Sequence, residues 1–331
     1  MKRITFLTIL GFCFSAIFTF TVSAKTEFTY ANFFPPTHVQ SQLAESWIKE
    51  VEKRTNGEIS IKYFPAGTLA KGPQIYDGVA TGLADIGMTV LAYTRGRFPI
   101  SEGIDLPLGY ESGTQATKVA NAVLNKFQPE EFNDTRLMFL HAHGPGLIHT
   151  TDKKVASIED MKGLKIRAHG TSGLIVGALG GSPVGTGMGE CYQMLQKGVV
   201  EGSMHPAEAN KGWKLGEVVK YMTANHPVGY TTTFAVMMNK DKWNALSPQN
   251  QKIIKEINEE WIEKHAKAWD DIDVAGIEFF KSKGGEIIPL ADGEADRWKA
   301  AVAPIIDGYI KKANEKGVDG KVVVDFIKAN M

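Results

Sequence analysis

The segment from Ser247 to Gly285 constrains the fold more than any other part of the chain. Apolar and aromatic side chains recur there at helical spacing for about 35 residues, behind a serine suited to an N-cap and a proline suited to a first turn. Such a helix is on the order of 50 Å long, whereas a compact lobe of ~150 residues is only about 35 Å across. We therefore expect it to span two lobes. The side chains of its apolar face are Ile253, Ile254, Ile257, Trp261, His265, Trp269, Ile272 and Phe279.

The N-terminus has the pattern of a secretory signal peptide. Lys2 and Arg3 precede an apolar run over residues 4–22, and small residues at Val22-Ser23-Ala24 suit a cleavage site. A membrane anchor is the alternative, but no positively charged stop-transfer cluster follows the run. We predict that residues 1–24 are a signal peptide and that the mature chain is exported.

The charge composition excludes some classes of partner. The 331 residues carry 37 Lys and Arg against 37 Asp and Glu, so neither a nucleic acid nor a charged membrane surface is expected as the main partner. Strand and helix patterns alternate along the chain, which predicts an α/β fold of two domains. The stretch from Phe234 to Asn239 is apolar on both faces and indicates a central, buried strand.

Catalytic motifs are scarce. The sequence has no nucleophile elbow, no Walker loop and no His-Glu-x-x-His pattern. His141 and His143 would point to one face of a strand, with His149 nearby, and could share a metal ion in a periplasmic hydrolase. No carboxylate ligand follows locally, so ordinary hydrogen-bonded histidines near a hinge are the favoured interpretation.

Arg167 lies at the end of a strand pattern that leads into a helix near Ser172. The planar fork of an arginine in that place can bind a carboxylate or a sulfonate in bidentate fashion, and the helix N-terminus adds backbone donors. Taken alone, a strand-end arginine more often has a solvated or structural role. Both interpretations remain open from the local pattern.

The mature chain resembles the substrate-binding proteins of tripartite ATP-independent periplasmic (TRAP) transporters, in the branch named for C4-dicarboxylate uptake. The resemblance covers nearly all of the mature chain and is specific through the order and spacing of its segments. These segments are WIKEVEKRTNG (47–57), MKGLKIR (161–167), LGGSP (179–183), ECY (190–192) and GVVEG (198–202).

The resemblance implies an α/β fold of two lobes, joined by crossing hinge strands and one long lobe-spanning helix. It places residues 25–149 and 235–274 in lobe I, and residues 150–234 and 275–331 in lobe II. It implies a non-catalytic protein without cofactor or metal, monomeric, in the periplasm of a Gram-negative bacterium, that serves a small and a large membrane subunit. A receptor feeding a signalling partner is the alternative to transport. Arg167 matches the arginine that holds the ligand carboxylate across the family.

Departures from the family pattern bear on the ligand. His205 stands where an asparagine often touches the ligand, and Ile148 stands where some members have a second arginine, which disfavours a dicarboxylate. The remaining site residues implied by the alignment are Phe33, Val90, Tyr93, Met188, Trp213, Thr231 and Thr232. A small monocarboxylate or sulfonate such as isethionate is the first expectation, and a larger hydrophobic or aromatic 2-oxo or hydroxy acid stacked on Phe33 and Trp213 is the alternative.

Overall fold

A computed structural model describes residues 25–331, so the predicted signal peptide lies outside the described residues. This part of the chain contains eleven strands and eleven α-helices. The strands are β1 Thr26–Asn32, β2 Ile59–Phe64, β3 Ile86–Val90, β4 Thr135–Ala142, β5 Gly146–Thr150, β6 Lys165–Arg167, β7 Ser182–Val184, β8 Gly202–Pro206, β9 Tyr221–Thr223, β10 Thr233–Asn239 and β11 Glu286–Ile288. The helices are α1 Val39–Arg54, α2 Ile75–Ala80, α3 Gly113–Phe127, α4 Ile158–Met161, α5 Gly170–Ala178, α6 Met188–Gln196, α7 Ala209–Gly212, α8 Lys240–Asn244, α9 Pro248–Ser282, α10 Glu294–Glu315 and α11 Gly320–Ala329. None of the described helices is both long enough and apolar enough to cross a bilayer.

The strands form two mixed sheets, which confirms the predicted two-lobed α/β fold. The first sheet has the order β2-β1-β3-β10-β4, and the second has the order β11-β9-β5-β8-β6-β7. The chain leaves the first sheet after β4, returns to it at β10, and leaves again through α9 to β11. As predicted from its apolar sequence, β10 is an interior strand, antiparallel to both of its neighbours.

The sheets also show where the chain passes between the lobes. Strand β5 pairs with β8 and β9 of the second sheet, so the first crossing lies between Ala142 and Gly146. The C-terminal helix differs from its assignment to lobe II, because Val323, Val324 and Ile327 belong to the larger core around the first sheet. An amphipathic helix identifies its own apolar face but not the surface that covers it. The predicted lobe I boundary at residue 149 also lies too late, because β5 already belongs to the second sheet. The remaining lobe boundaries stay predictions.

Helix α9 connects the two cores, as its length predicts. It covers 35 residues, and its N-cap Ser247 accepts a hydrogen bond from the backbone N of Asn250. Trp261 and Trp269 pack in the larger core, whereas Phe280 packs in a core formed with second-sheet residues. The helix is therefore a rigid element common to both lobes.

Gly276 gives α9 its close approach to the second lobe, and its replacement tests that contact. A Cβ at this position would lie 2.1 Å from the carbonyl oxygen of Ala207. We expect Gly276→Ala to lower the free energy of unfolding by about 1–3 kcal/mol, because the backbone must shift to relieve the overlap. Urea titration measures the effect, and Gly177→Ala in α5 is the control, since a Cβ there meets no atom within 4 Å. Equal stability of the two variants would contradict the proposed tight contact.

Candidate ligand-binding site

The candidate site lies where the carboxyl ends of several strands face each other across the two sheets. Strands β6, β7 and β8 are parallel, so Arg167, the loop after Val184 and His205 meet at one edge of the second sheet. Phe33 follows β1, and Val90 ends β3 of the first sheet. Ligand sites of open α/β sheets form in crevices of this kind.

The crevice between the two sheets contains a cavity, and Arg167 is the cationic side chain in its lining. It is only 2% exposed, and its Nε and Nη2 donate to the carbonyl oxygen of Thr186 at 3.2 and 2.7 Å. No carboxylate of residues 25–331 lies within 4.0 Å of its guanidinium. A buried charge without a counter-charge is costly, and an anionic ligand would supply the missing partner.

Three histidines around the arginine are neutral at physiological pH. Burial lowers the pKa of His143 to about 4. Burial also lowers the pKa of His169 and His205 well below the usual range, and the positive charge of Arg167 lowers both further. Both ring nitrogens of His205, and Nδ1 of His169, are buried without a hydrogen-bond partner in the described chain. Glu208 also lines the cavity, and its Oε2 lies 2.9 Å from Nε2 of His38. The site therefore combines the charge of Arg167 and the carboxyl group of Glu208 with neutral imidazoles that can donate or accept hydrogen bonds.

Aromatic rings form the opposite wall. The ring of Phe33 is nearly parallel to those of Trp213 and Phe234, with centroid distances of 6.1 and 6.5 Å. Tyr93 meets Phe33 edge-on at 5.9 Å, and Phe34 stacks on Phe33 at 4.7 Å. The ligand would thus have an acidic group at the arginine and an apolar body against these rings.

Most of the residues expected from the sequence line this cavity, but two do not. Those that line it are Arg167, His205, Phe33, Val90, Tyr93, Met188, Trp213 and Thr232. Ile148 is fully buried in a second-lobe core, because the alternation along β5 turns its side chain away from the cavity. The hydroxyl of Thr231 donates a hydrogen bond to the carbonyl oxygen of His143 at 2.6 Å, so it joins the two chain segments that cross between the sheets. The role of the lining residues as ligand contacts stays a prediction.

Other lining residues were not expected from the sequence. They include Phe34, His143, His169, Tyr230 and Phe234. His169 is two residues beyond Arg167 and is the N-cap of α5, so the strand-to-helix junction that indicates Arg167 is also the signal for His169. Tyr230 and Phe234 flank the return crossing to β10, and only the packing of both sheets brings them to the cavity.

The two lobes touch each other around the site. The backbone N of Met188 in the second lobe donates to the hydroxyl of Tyr93 in the first at 3.0 Å. Gly170 faces Ala92 so closely that a Cβ on the glycine would lie 2.7 Å from the alanine Cβ. The cavity measures about 40 Å³, room for roughly three water molecules. An organic acid therefore requires the lobes to move apart before it enters.

The predicted metal-site alternative finds little support in the surroundings of its histidines. His141 stacks on His265 with ring centroids 4.3 Å apart, and its Nδ1 accepts a hydrogen bond from Trp269 Nε1 at 3.0 Å. His143 Nδ1 contacts the carbonyl oxygen of Gly144 at 2.5 Å. Within residues 25–331, no three His, Cys, Asp or Glu side chains are grouped to hold a metal ion.

Two lobes around a cavity between facing sheets, with a single buried cation in its lining, define a solute-binding protein. The model of the DctP family, described as bacterial extracellular solute-binding protein, family 7, matches residues 30–312. The chain belongs to this family and is a solute-binding protein of the TRAP type.

Solved structures of similar proteins support the same fold. A TRAP periplasmic solute-binding protein from Desulfovibrio salexigens DSM2638, in an open complex, is 33% identical, with 93% and 96% of the two chains covered and a TM-score of 0.80. A marine metagenome TRAP solute-binding protein specific for aromatic acid ligands, in complex with metahydroxyphenylacetate, is 30% identical over 92% and 98%, with a TM-score of 0.87. A TRAP solute-binding protein from Rhodoferax ferrireducens T118, with copurified benzoate, is 29% identical over 92% and 97%, with a TM-score of 0.85.

Proposed function

We propose that this protein captures a monocarboxylate with an aromatic or otherwise apolar body, for uptake by a TRAP transporter. The observation that carries the proposal is the buried guanidinium of Arg167, which faces aromatic rings and has no carboxylate partner in the described chain. In this arrangement the ligand carboxylate binds the arginine fork, and the apolar body packs against Phe33 and Trp213.

The charges around the cavity favour a ligand with one acidic group. Arg167 is the single Lys or Arg among the described residues that line the cavity. His143, His169 and His205 remain neutral, because protonating them beside the arginine in a buried site is unfavourable. A second carboxylate would also meet the buried carboxylate of Glu208 in the same lining. A dicarboxylate therefore lacks a partner for its second charge.

The composition of the wall favours an aromatic acid over isethionate, the ligand first expected from the sequence. Phe33, Trp213 and Phe234 offer ring faces rather than hydroxyl or amide groups. The similar proteins with TM-scores of 0.85 and 0.87 carry benzoate and metahydroxyphenylacetate. The unpaired ring nitrogens of His205 supply a partner for a ligand hydroxyl or for the second carboxylate oxygen.

Binding proceeds in this proposal by closure of the lobes. The acid docks on the second lobe at Arg167, and the first lobe closes through contacts such as Tyr93 with Met188. The closed monomer, in the periplasm, then meets the small and large membrane subunits. Its role is binding and delivery without covalent chemistry, in keeping with its membership of a solute-binding family.

Isothermal titration with four sodium salts tests the ligand class. We expect benzoate and 3-hydroxybenzoate to bind at least about tenfold more tightly than isethionate and succinate, because only the aromatic acids fill the apolar wall. Tighter binding of isethionate would overturn the aromatic proposal and restore the small-acid expectation. Absence of binding by all four, together with no rise in melting temperature, would overturn the assignment of this cavity to an organic acid.

A further inference from the structure

A second, larger cavity lies at the contact between the lobes and is called the seam cavity below. Its volume is about 390 Å³, within the usual range of small-molecule sites, which is roughly 300–1,000 Å³. It is adjacent to the candidate ligand-binding site, because Ala92 and Gly170 of its lining are next in sequence to Tyr93 and His169 of that site. Its walls come from the segment after β3, from α5 and from α10.

The walls of this seam cavity are mainly apolar. Their apolar side chains are Ala92, Leu106, Leu174, Ala301, Pro304 and Ile305. Leu174 is 36% exposed, so part of this apolar surface is accessible to a ligand. Charged side chains of both signs are also present in the lining, the cations Arg95, Lys312 and Lys316 and the carboxyl groups of Glu102, Asp105 and Glu315. An apolar body of the size of a benzene ring would remove much of this surface from water.

Asp105 is the polar group that gives the seam cavity chemical selectivity. It is 5% exposed and lines the cavity. Its Oδ1 accepts hydrogen bonds from the backbone N and the hydroxyl of Thr233, at 2.9 and 2.7 Å. Its Oδ2 receives no hydrogen bond from residues 25–331, and no Lys, Arg or His nitrogen of that range lies within 4.0 Å. Oδ2 is not one of the fully buried atoms, so it is accessible from the cavity that Asp105 lines, and a ligand donor can reach it there.

We propose that the seam cavity binds a small apolar molecule with one amine group, which donates hydrogen bonds to Oδ2 of Asp105. The apolar body then packs against Leu106, Leu174 and Ile305. Burial raises the pKa of Asp105 to about 7, so above that pH the carboxylate is charged and attracts an ammonium group. This site is separate from the acid site and does not depend on Arg167.

Calorimetric titration with benzylamine, at about pH 8 so that Asp105 is ionised, tests the proposal. Benzyl alcohol and toluene are the comparison ligands, and each titration is done with and without excess benzoate. We expect benzylamine to bind at least about tenfold more tightly than toluene, because only the amine pairs with the carboxylate. Equal affinity for the three ligands would show a non-selective apolar cavity and would overturn the proposal. Absence of benzylamine binding, both with and without benzoate, would overturn it as well.

Two substitutions locate the binding in this cavity. Asp105→Asn retains an oxygen for the Thr233 hydrogen bonds but removes the charge, and we expect benzylamine affinity to fall at least about tenfold while benzyl alcohol changes less. Gly308→Phe fills the cavity, since Gly308 lines it and a Cβ there meets no atom within 4 Å. Gly177→Phe is the matched control, because that helical glycine is equally open but lies outside the lining. Unchanged benzylamine affinity in Gly308→Phe would place the binding elsewhere and contradict the proposal.

Discussion

Replacing Arg167 with methionine is expected to weaken benzoate binding at least about a hundredfold. Methionine retains much of the aliphatic part of the arginine side chain, but it lacks the charge and the hydrogen-bond donors of the guanidinium. Loss of a charged partner in a buried ion pair costs about 2–5 kcal/mol, and no other Lys or Arg among the described residues lines this cavity. Isothermal titration of both proteins measures the loss of affinity directly.

The stability of the same variant separates a binding role from a structural one. Without ligand, the guanidinium is buried against the carbonyl oxygen of Thr186 and has no carboxylate partner in residues 25–331. We therefore expect the free energy of unfolding of Arg167→Met to fall by no more than about 1 kcal/mol. Arg167→Lys is the control that keeps the charge but loses the bidentate geometry, and it should bind with intermediate affinity. A large loss of stability in Arg167→Met, with affinity retained in the folded fraction, would assign the residue to the fold.

Features set by local sequence could be predicted well. The length of α9 follows from an uninterrupted apolar face behind Ser247 and Pro248, and both of its ends agree with the structure. Arg167 was indicated by a strand that leads directly into a helix, which brings a strand-end side chain to the edge of a sheet. The family resemblance favoured ligand binding over a structural role for this arginine. The structure adds the observation that the guanidinium is buried without a carboxylate partner in residues 25–331.

Features that depend on the parity of a strand or on packing between lobes could not be predicted as well. Leu147 and Ile148 are neighbours on β5, but their side chains point to opposite faces and belong to different cores. An alignment that is wrong by one residue therefore assigns the wrong face of the strand to the site. His169 and Phe234 come from different lobes and meet at the cavity only when the sheets face each other. The apolar face of α11 was equally visible in the sequence, but its partner α3 is about 200 residues away along the chain.

Acidification is expected to destabilise the protein steeply below about pH 6.5. Six histidines, five of them buried and His169 partly buried, have pKa values that desolvation holds far below the value of 6.5 for an exposed histidine. They are His141, His143, His149, His169, His205 and His265. For His149 and His265 the pKa falls to about 3. Between the lowered pKa values of the folded chain and pH 6.5, the histidines of the unfolded chain bind protons that those of the folded chain do not. The free energy of unfolding therefore falls as the pH falls.

Buried carboxylates act in the opposite direction and reduce the slope. Burial raises the pKa of Asp105 to about 7 and that of Asp273 to about 8, and it also raises the pKa of Glu131. Near pH 5.5 the folded chain holds protons on Asp105 and Asp273 that the unfolded chain has released. Six histidines less two or three acids leave a net uptake of three to four protons on unfolding. At about 1.4 kcal/mol per pH unit for each proton, the slope is about 4–6 kcal/mol per pH unit.

The same balance predicts a stability maximum near pH 7, where the protons held by these histidines in the unfolded chain equal those held by Asp105 and Asp273 in the folded chain. Above that pH the contribution of the buried carboxylates is larger, and stability declines as they ionise. Urea titrations at half-unit steps between pH 5 and 8 measure the curve, and proton uptake on unfolding checks the slope independently. His265→Gln should lower the slope near pH 5.5 by about one proton, or 1.4 kcal/mol per pH unit, whatever it does to absolute stability. Lys252→Gln, an exposed change on the same helix, serves as the control. A free energy of unfolding that stays constant between pH 5 and 6.5 would show that these histidines take up protons in the folded state, and the neutral, single-cation character of the site would then have to be abandoned.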